Sequence, residues 1–168
     1  MFQNVRALSA YADVRVIAPV PWIPRLLARG RYRAYTGVAR RDEWAGIPVS
    51  YPRFFFFSRV GRFLHGFQLF ASVLADVRRE VRSFRPEVLL AYFAYPYGFA
   101  LSLCGAAFRI PVVISCRGGD INYMTRPRLQ GWMITRSLRS ARRVWVMSEE
   151  MRGEAVALGV HPDRVEVV

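Results

Sequence analysis

The run Val88-Leu89-Leu90-Ala91-Tyr92-Phe93-Ala94-Tyr95-Pro96-Tyr97-Gly98 decides the fold, because it has two incompatible readings until its neighbours are weighed. Residues 88–108 carry no charge and are long enough to cross a bilayer as one helix. Pro96 and Gly98 interrupt such a helix at its middle. The half before them has the composition of a buried strand, and residues 98–108 after them are one helix length. The sequence therefore reads as a strand, a turn and a packed helix.

The same rhythm extends in both directions. Upstream, Phe63, Phe67, Phe70, Leu74, Val77, Val81 and Phe84 recur at spacings of three and four, the apolar stripe of a helix that Pro86 stops. Arg78, Arg79 and Arg82 fall on its other side. Downstream, Pro111-Val112-Val113-Ile114-Ser115-Cys116 is a β-branched strand, Arg117-Gly118-Gly119-Asp120-Ile121-Asn122 a loop, residues 128–141 a helix and 143–147 a strand. Ser148 is an N-cap with Glu149 and Glu150 in the first turn. That helix ends at Gly159, and residues 164–168 form a last strand.

The front end is less regular. Phe2, Val5 and Leu8 mark a helix, and residues 13–18 a strand closed by Pro19. Residues 22–45 read as a long loop or a loosely helical segment. Residues 47–51 are a strand placed at a sheet edge, because Pro48 cannot donate to a ladder. Strands alternating with helices predict an α/β fold: a Rossmann-like parallel sheet with helices on both faces.

At 168 residues, with 53% hydrophobic residues, the chain has room for one domain and is too apolar for disorder. Its 25 basic residues are all arginine and face 12 acidic ones, for a net charge of +13. A charge of that size attracts nucleic acid, lipid headgroups or phosphorylated substrates. Cys104 and Cys116 each sit in an apolar run, as buried thiols of a reducing compartment do. No cysteine or histidine pair has ligand spacing, so no metal site is expected. Residues 1–6 contain no apolar core of a signal peptide, and a cytoplasmic location follows.

In an open parallel sheet, ligands gather beyond the carboxyl ends of the strands. Three segments fall there: the stiff Pro19-Val20-Pro21-Trp22-Ile23-Pro24, then Ala94-Tyr95-Pro96-Tyr97-Gly98, then the loop from Arg117 to Asn122. In that loop Gly118 and Gly119 allow close backbone approach, and Asp120 and Asn122 can bond hydroxyls. Arg117 suits a phosphate or a carboxylate. The same loop also reads as a plain turn in which Asp120 caps a helix. No Walker-type loop or Gly-x-Gly-x-x-Gly is present, hence no nucleotide cradle.

Taken in order, Val16-Ile17-Ala18-Pro19-Val20-Pro21-Trp22, Gly46-Ile47-Pro48-Val49-Ser50-Tyr51-Pro52-Arg53, the run from Pro86 to Gly98, Pro111-Val112-Val113 leading into Arg117-Gly118-Gly119-Asp120-Ile121-Asn122, and Val144-Trp145-Val146-Met147-Ser148 resemble the N-terminal domain of family 4 glycosyltransferases. The resemblance implies one half of a GT-B architecture, in which two Rossmann-like domains face each other across a cleft. It implies retaining, metal-independent transfer from a nucleotide-sugar, as in assembly of cell-surface polysaccharides or on lipid-linked acceptors. The N-terminal half would hold the acceptor and a C-terminal half the donor. Substrate-binding roles would fall to Trp22, Tyr95, Tyr97, Arg117, Gly118, Gly119, Asp120 and Asn122, with no catalytic residue assigned.

Three departures qualify the match. The family's first strand is missing before the first helix, so residues 13–18 should either pair directly with 88–93 or leave a gap. Arg117 stands where many members have histidine. Residues 165–168 fall about where the linker to a donor domain begins, so 1–168 is expected to be a single incomplete domain lacking the donor-binding half. On this view the chain holds no cofactor, and a nucleotide-sugar is bound only with a separate donor-binding domain. The alternative is a non-catalytic remnant or a membrane-surface binding module.

Residues 19–62 carry nine arginines against Asp42 and Glu43, with aromatic residues interleaved. One reading is a peripheral surface for the anionic inner face of a membrane, anchored by Arg53, Phe54, Phe55, Phe56, Phe57, Arg59 and Arg62, with Arg136 and Arg139 of little weight. The other packs some of these phenylalanines under the long helix and leaves the arginines solvated. Nucleic acid is disfavoured, because no recognised motif accompanies the basic residues.

Overall fold

A computed structural model describes residues 2–22, 35–55, 64–122 and 128–168. In chain order its elements are α1 (Phe2–Ser9), β1 (Val16–Ile17), β2 (Val20–Trp22), β3 (Arg41–Trp44), β4 (Ile47–Ser50), β5 (Arg53–Phe55), α2 (His65–Ser83), β6 (Leu89–Tyr92), α3 (Phe99–Phe108), β7 (Val112–Ser115), α4 (Gly119–Asn122), α5 (Arg128–Ser140), β8 (Arg143–Val146), α6 (Glu149–Ala157) and β9 (Val165–Val167). A single π turn over Ala94–Gly98, containing a cis Tyr95–Pro96 bond, links β6 to α3.

The second half is the α/β unit that the sequence predicts. Strands β6, β7, β8 and β9 run parallel in that order, with Leu89 opposite Val112, Ile114 opposite Val144 and Val144 opposite Val165. Ala91, Val112, Ile114, Val144 and Val146 form one core with Phe99, Met133, Ile134 and Leu138 from the helices. Ser148 caps α6 by accepting a hydrogen bond from the Met151 amide at 3.3 Å.

The first half is two strand pairs joined end to end. β1 lies parallel to β4, with Val16 opposite Val49, and β2 parallel to β5, with Val20 opposite Arg53. The Ala18 amide donates to Ser50 at 2.8 Å and the Val20 amide to Pro52 at 2.9 Å, so pairing crosses the join. Pro19 therefore does not close the strand. It sits between two donors, at a residue whose missing N–H faces away from the partner.

Two other expectations fail here. β4 is not an edge strand, because it lies between β1 and β3. The Tyr51 amide bonds the Arg40 carbonyl, so hydrogen-bonded pairs toward β3 fall at alternate residues, and Pro48, opposite Glu43, is not among them. β3 itself occupies sequence read as loop or loose helix. Arg41-Asp42-Glu43-Trp44 is exposed throughout and has no apolar alternation to announce a strand. Its hairpin turn is Ala45-Gly46, with φ of 50° and 80°, the positive pair of a type I′ turn.

Direct pairing of residues 13–18 with 88–93 does not occur: β1 pairs with β4, and β6 with β7. Among the described residues no strand connects the two sheets, and the gap is what stands. Helix α2 spans it. Its buried line is Gly66, Leu69, Val73 and Val77, and the same cluster takes Phe54 and Ile17 from one sheet and Leu89 from the other. Phe67, read as part of the buried stripe, is instead 40% exposed. Arg15 adds a 2.7 Å ion pair to Glu80 and lies 4.7 Å from the Phe84 ring centre.

Both thiols are buried as expected, and burial pushes that of Cys104 up to about 11. The unfolded chain gives up the Cys104 proton near the ordinary thiol value of 9.0, so this contribution to stability is complete below that pH and fades as pH rises toward 11. Alkylation of the native chain at pH 8 should therefore be slow at both cysteines, and fast only in denaturant. Leu69, 1% exposed at the junction of the sheets, should cost about 2–5 kcal/mol when cut to alanine. Urea unfolding checks this; a loss below about 1 kcal/mol would mean that α2 does not join them.

Candidate functional site

The carboxyl ends of β6, β7 and β8 release three segments side by side, and one buried side chain ties two of them together. Asp120 is 2% exposed. Its Oδ2 accepts from the Ala94 amide at 2.7 Å and its Oδ1 from the Arg117 amide at 2.9 Å. A carboxylate fits this place because both partners are donors and it offers acceptors only. Of the two readings of Asp120, a ligand for hydroxyls or a residue that ties its own loop, these bonds show the second, with one oxygen directed at each loop.

Arg117 lies across the rim above the neighbouring strands. Its guanidinium is 5.2 Å from the Tyr92 ring centre and 3.5 Å from the Met147 sulfur. Among the described residues no carboxylate pairs with it. Gly118 has φ of +93°, a conformation that requires glycine, and a Cβ at either Gly118 or Gly119 would meet nothing within 4 Å. The backbone of this loop is thus open to a ligand. Asn122 ends α4, and its side chain lies outside the described residues.

Tyr95 does not join this rim. It is 5% exposed, and its hydroxyl lies among polar groups of the Gly66 and His65 backbone and the Gln130 side chain. Burial raises its pKa despite those neighbours. It thereby fastens the start of α2 to α5. His65, stacked on Phe54 at 5.4 Å and edge-on to Tyr95 at 6.4 Å, has its pKa lowered by burial. Tyr97 is 37% exposed, its pKa raised by burial first and by the neighbouring Tyr35 second. Trp22 is exposed at the end of β2, on the other sheet.

Of the proposed membrane anchors, Phe54 is buried in the α2 cluster and cannot face a lipid surface. Arg53 is half-buried, and its guanidinium donates to the Val38 carbonyl. The side chain of Phe55, and Phe56, Phe57, Arg59 and Arg62, lie outside the described residues.

The sequence reading passed over Phe93. It carries φ of +74° at the end of β6 and is exposed at the rim. Its amide donates to Ser115 at 2.8 Å, and its carbonyl accepts from Gly98 at 2.9 Å. Those two bonds hold a non-glycine residue in a strained region, of the kind that gathers at functional sites. Only the abrupt passage from strand to Pro96 hinted at it.

The chain belongs to the glycosyl transferase 4-like domain family, whose model matches residues 3–168. That places it among glycosyltransferase-like, sugar-handling domains. No curated protein matches it. Its fold is similar to that of solved UDP-GlcNAc 2-epimerases. One from Neisseria meningitidis, bound to UDP-GlcNAc, is 11% identical with a TM-score of 0.51, over 92% of this chain and 45% of that one. One from Rickettsia bellii is 12% identical with a TM-score of 0.51, over 92% and 44%. The chain thus spans less than half the length of these proteins. No helix among the described residues is long and apolar enough to cross a membrane.

Replacing Asp120 by asparagine keeps one of its two hydrogen bonds and turns an amide N–H₂ toward the other donor. The cost should be about 1–3 kcal/mol in urea unfolding, with faster hydrogen exchange at Ala94 and Arg117. Arg117→Ala should leave stability unchanged. Equal, negligible losses in both variants would show that the clamp does not hold these loops. The depressed His65 pKa means the unfolded chain takes up this proton first. Stability should be full above pH 6.5 and fall below it. A His65→Gln variant should lose that part of the slope.

Proposed function

We propose that this chain is the acceptor-side half of a retaining glycosyltransferase, which transfers a sugar from a nucleotide-sugar to a polysaccharide or lipid-linked acceptor of the cell surface. The observation that carries the reading is the Asp120 clamp, which presents an open Arg117-Gly118-Gly119 backbone at the strand ends of a glycosyl transferase 4-like domain. Arg117, which no carboxylate pairs among the described residues, would supply the cation for an acceptor phosphate or carboxylate, and the open Gly118-Gly119 backbone would receive sugar hydroxyls. Tyr97 and Phe93 offer apolar faces on which a sugar ring can rest. The diphosphate of a donor needs a cradle of amides or cations that this reading assigns to a second, donor-binding domain.

Titration of the chain with a lipid-linked saccharide phosphate should show binding that Arg117→Ala weakens about 10-fold or more, the worth of a charge-assisted hydrogen bond. Nucleotide-sugars should bind weakly, and the chain by itself should transfer no sugar. Turnover above a mock preparation, or donor binding tighter than acceptor binding, would overturn the assignment.

A further inference from the structure

Helix α5 presents an outer face that combines large apolar side chains with arginines. At 100° per residue Arg128, Leu129, Trp132, Arg136 and Arg139 fall within about 120° of arc. All five are exposed, Trp132 by 53% and Leu129 by 40%. The opposite side, with Met133, Ile134, Ser137 and Leu138, is buried in the core. No acidic residue occurs between Arg128 and Ser140, and among the described residues none of the three arginines enters an ion pair.

The apolar part of this face continues onto α2. The ring centre of Trp132 lies 6.1 Å from that of buried Phe99, and the ring centre of Phe67 lies 4.9 Å from it, so both pack against Phe99. Leu64 and Phe67, 49% and 40% exposed, extend the patch to the start of α2. The result is an aromatic and leucine surface bordered by arginines with no countercharge.

We propose that this face, Trp132 and Leu129 with Arg128, Arg136 and Arg139, seats the domain on an anionic lipid bilayer. The aromatic ring and leucine enter the headgroup boundary while the arginines meet lipid phosphates. An anionic bilayer suits the patch better than a protein partner because it matches an apolar centre and a cationic border along one helix length, without needing a shaped groove. The proposal places the membrane contact where the sequence alone gave little weight, at Arg136 and Arg139. It extends the reading above by bringing the acceptor site to lipid-linked substrate, but the docking stands on the helix face and is tested without sugar.

Sedimentation with vesicles of phosphatidylcholine alone, and of equimolar phosphatidylcholine and phosphatidylglycerol, makes the test. The whole chain should bind the anionic vesicles, weakly or not at all the neutral ones, and lose binding as salt is added. Each arginine near such a surface is worth about fivefold, so Arg128→Gln, Arg136→Gln and Arg139→Gln together should weaken binding about 100-fold. A variant with equal charge loss elsewhere, Arg40→Gln, Arg41→Gln and Arg142→Gln, should keep most of it. Should the first triple variant fail to fold, brominated lipid decides with the native chain: it should quench tryptophan emission, and Trp132→Phe should lose most of that quenching while still binding. Equal losses in the two triple variants, equal binding to neutral vesicles, or unchanged quenching in Trp132→Phe would overturn the proposal. So would a dimer that Trp132→Ala dissociates, which would assign the patch to a second copy.

Discussion

The burial of Leu69, Val73 and Val77 along one side of α2 joins two sheets that share no hydrogen-bonded ladder among the described residues. Within each sheet, backbone bonds fix register, and a slip of one residue would turn every side chain to the wrong face. Between the sheets, among the described residues, the geometry rests on side-chain packing against α2, helped by polar contacts to that helix such as the Arg15–Glu80 pair. Packing of this kind is strong but not directional. The candidate site inherits the difference: Phe93, Tyr97, Arg117 and Gly118 are carried by the ladder from β6 to β8, whereas Trp22 belongs to the other sheet.

Within the ladder-borne group, Asp120 does the positioning. A segment leaving a strand end has lost its backbone partners, and buried amides there need acceptors. Supplying two from one carboxylate couples the loop after β6 to the loop after β7, so neither can shift alone. The open glycine backbone and the Arg117 side chain are then held relative to Phe93 and Tyr97 without contributing to the clamp themselves. Within the motif from Arg117 to Asn122, the Asp120 side chain supports the loops, while the Arg117 side chain and the glycine backbone are left open at the rim.

What was legible in the sequence follows from periodicity. The alternation from β6 to β9 could be read because each strand is apolar enough to stand out between helices with caps and stops. The joined strands β1–β2 and β4–β5 were harder, since Pro19, Pro48 and Pro52 look like terminators. A proline ends pairing only when its nitrogen faces the partner strand, and that depends on register, which a single strand does not reveal. β3 gave no signal because an exposed strand has no apolar face. At the candidate site, residue types pointed to loops at the strand ends but not to the directions of their side chains. Asp120 and Tyr95 are polar groups that serve the interior, and Phe93 is an apolar one at the rim.

The same reasoning separates the two basic aromatic segments of the chain. Net charge is a property of the whole molecule, but a flat surface is met only by groups that lie on one face. In a strand, successive side chains point to opposite sides, so a run such as Arg53-Phe54-Phe55 cannot be presented to a membrane as a block. Phe54 is in fact in the core, and Arg53 is bonded to Val38. In a helix, residues three and four apart share a face, so dispersed residues such as Arg128, Trp132, Arg136 and Arg139 come together. Counting arginines along the sequence does not distinguish these two arrangements; the period of the backbone does.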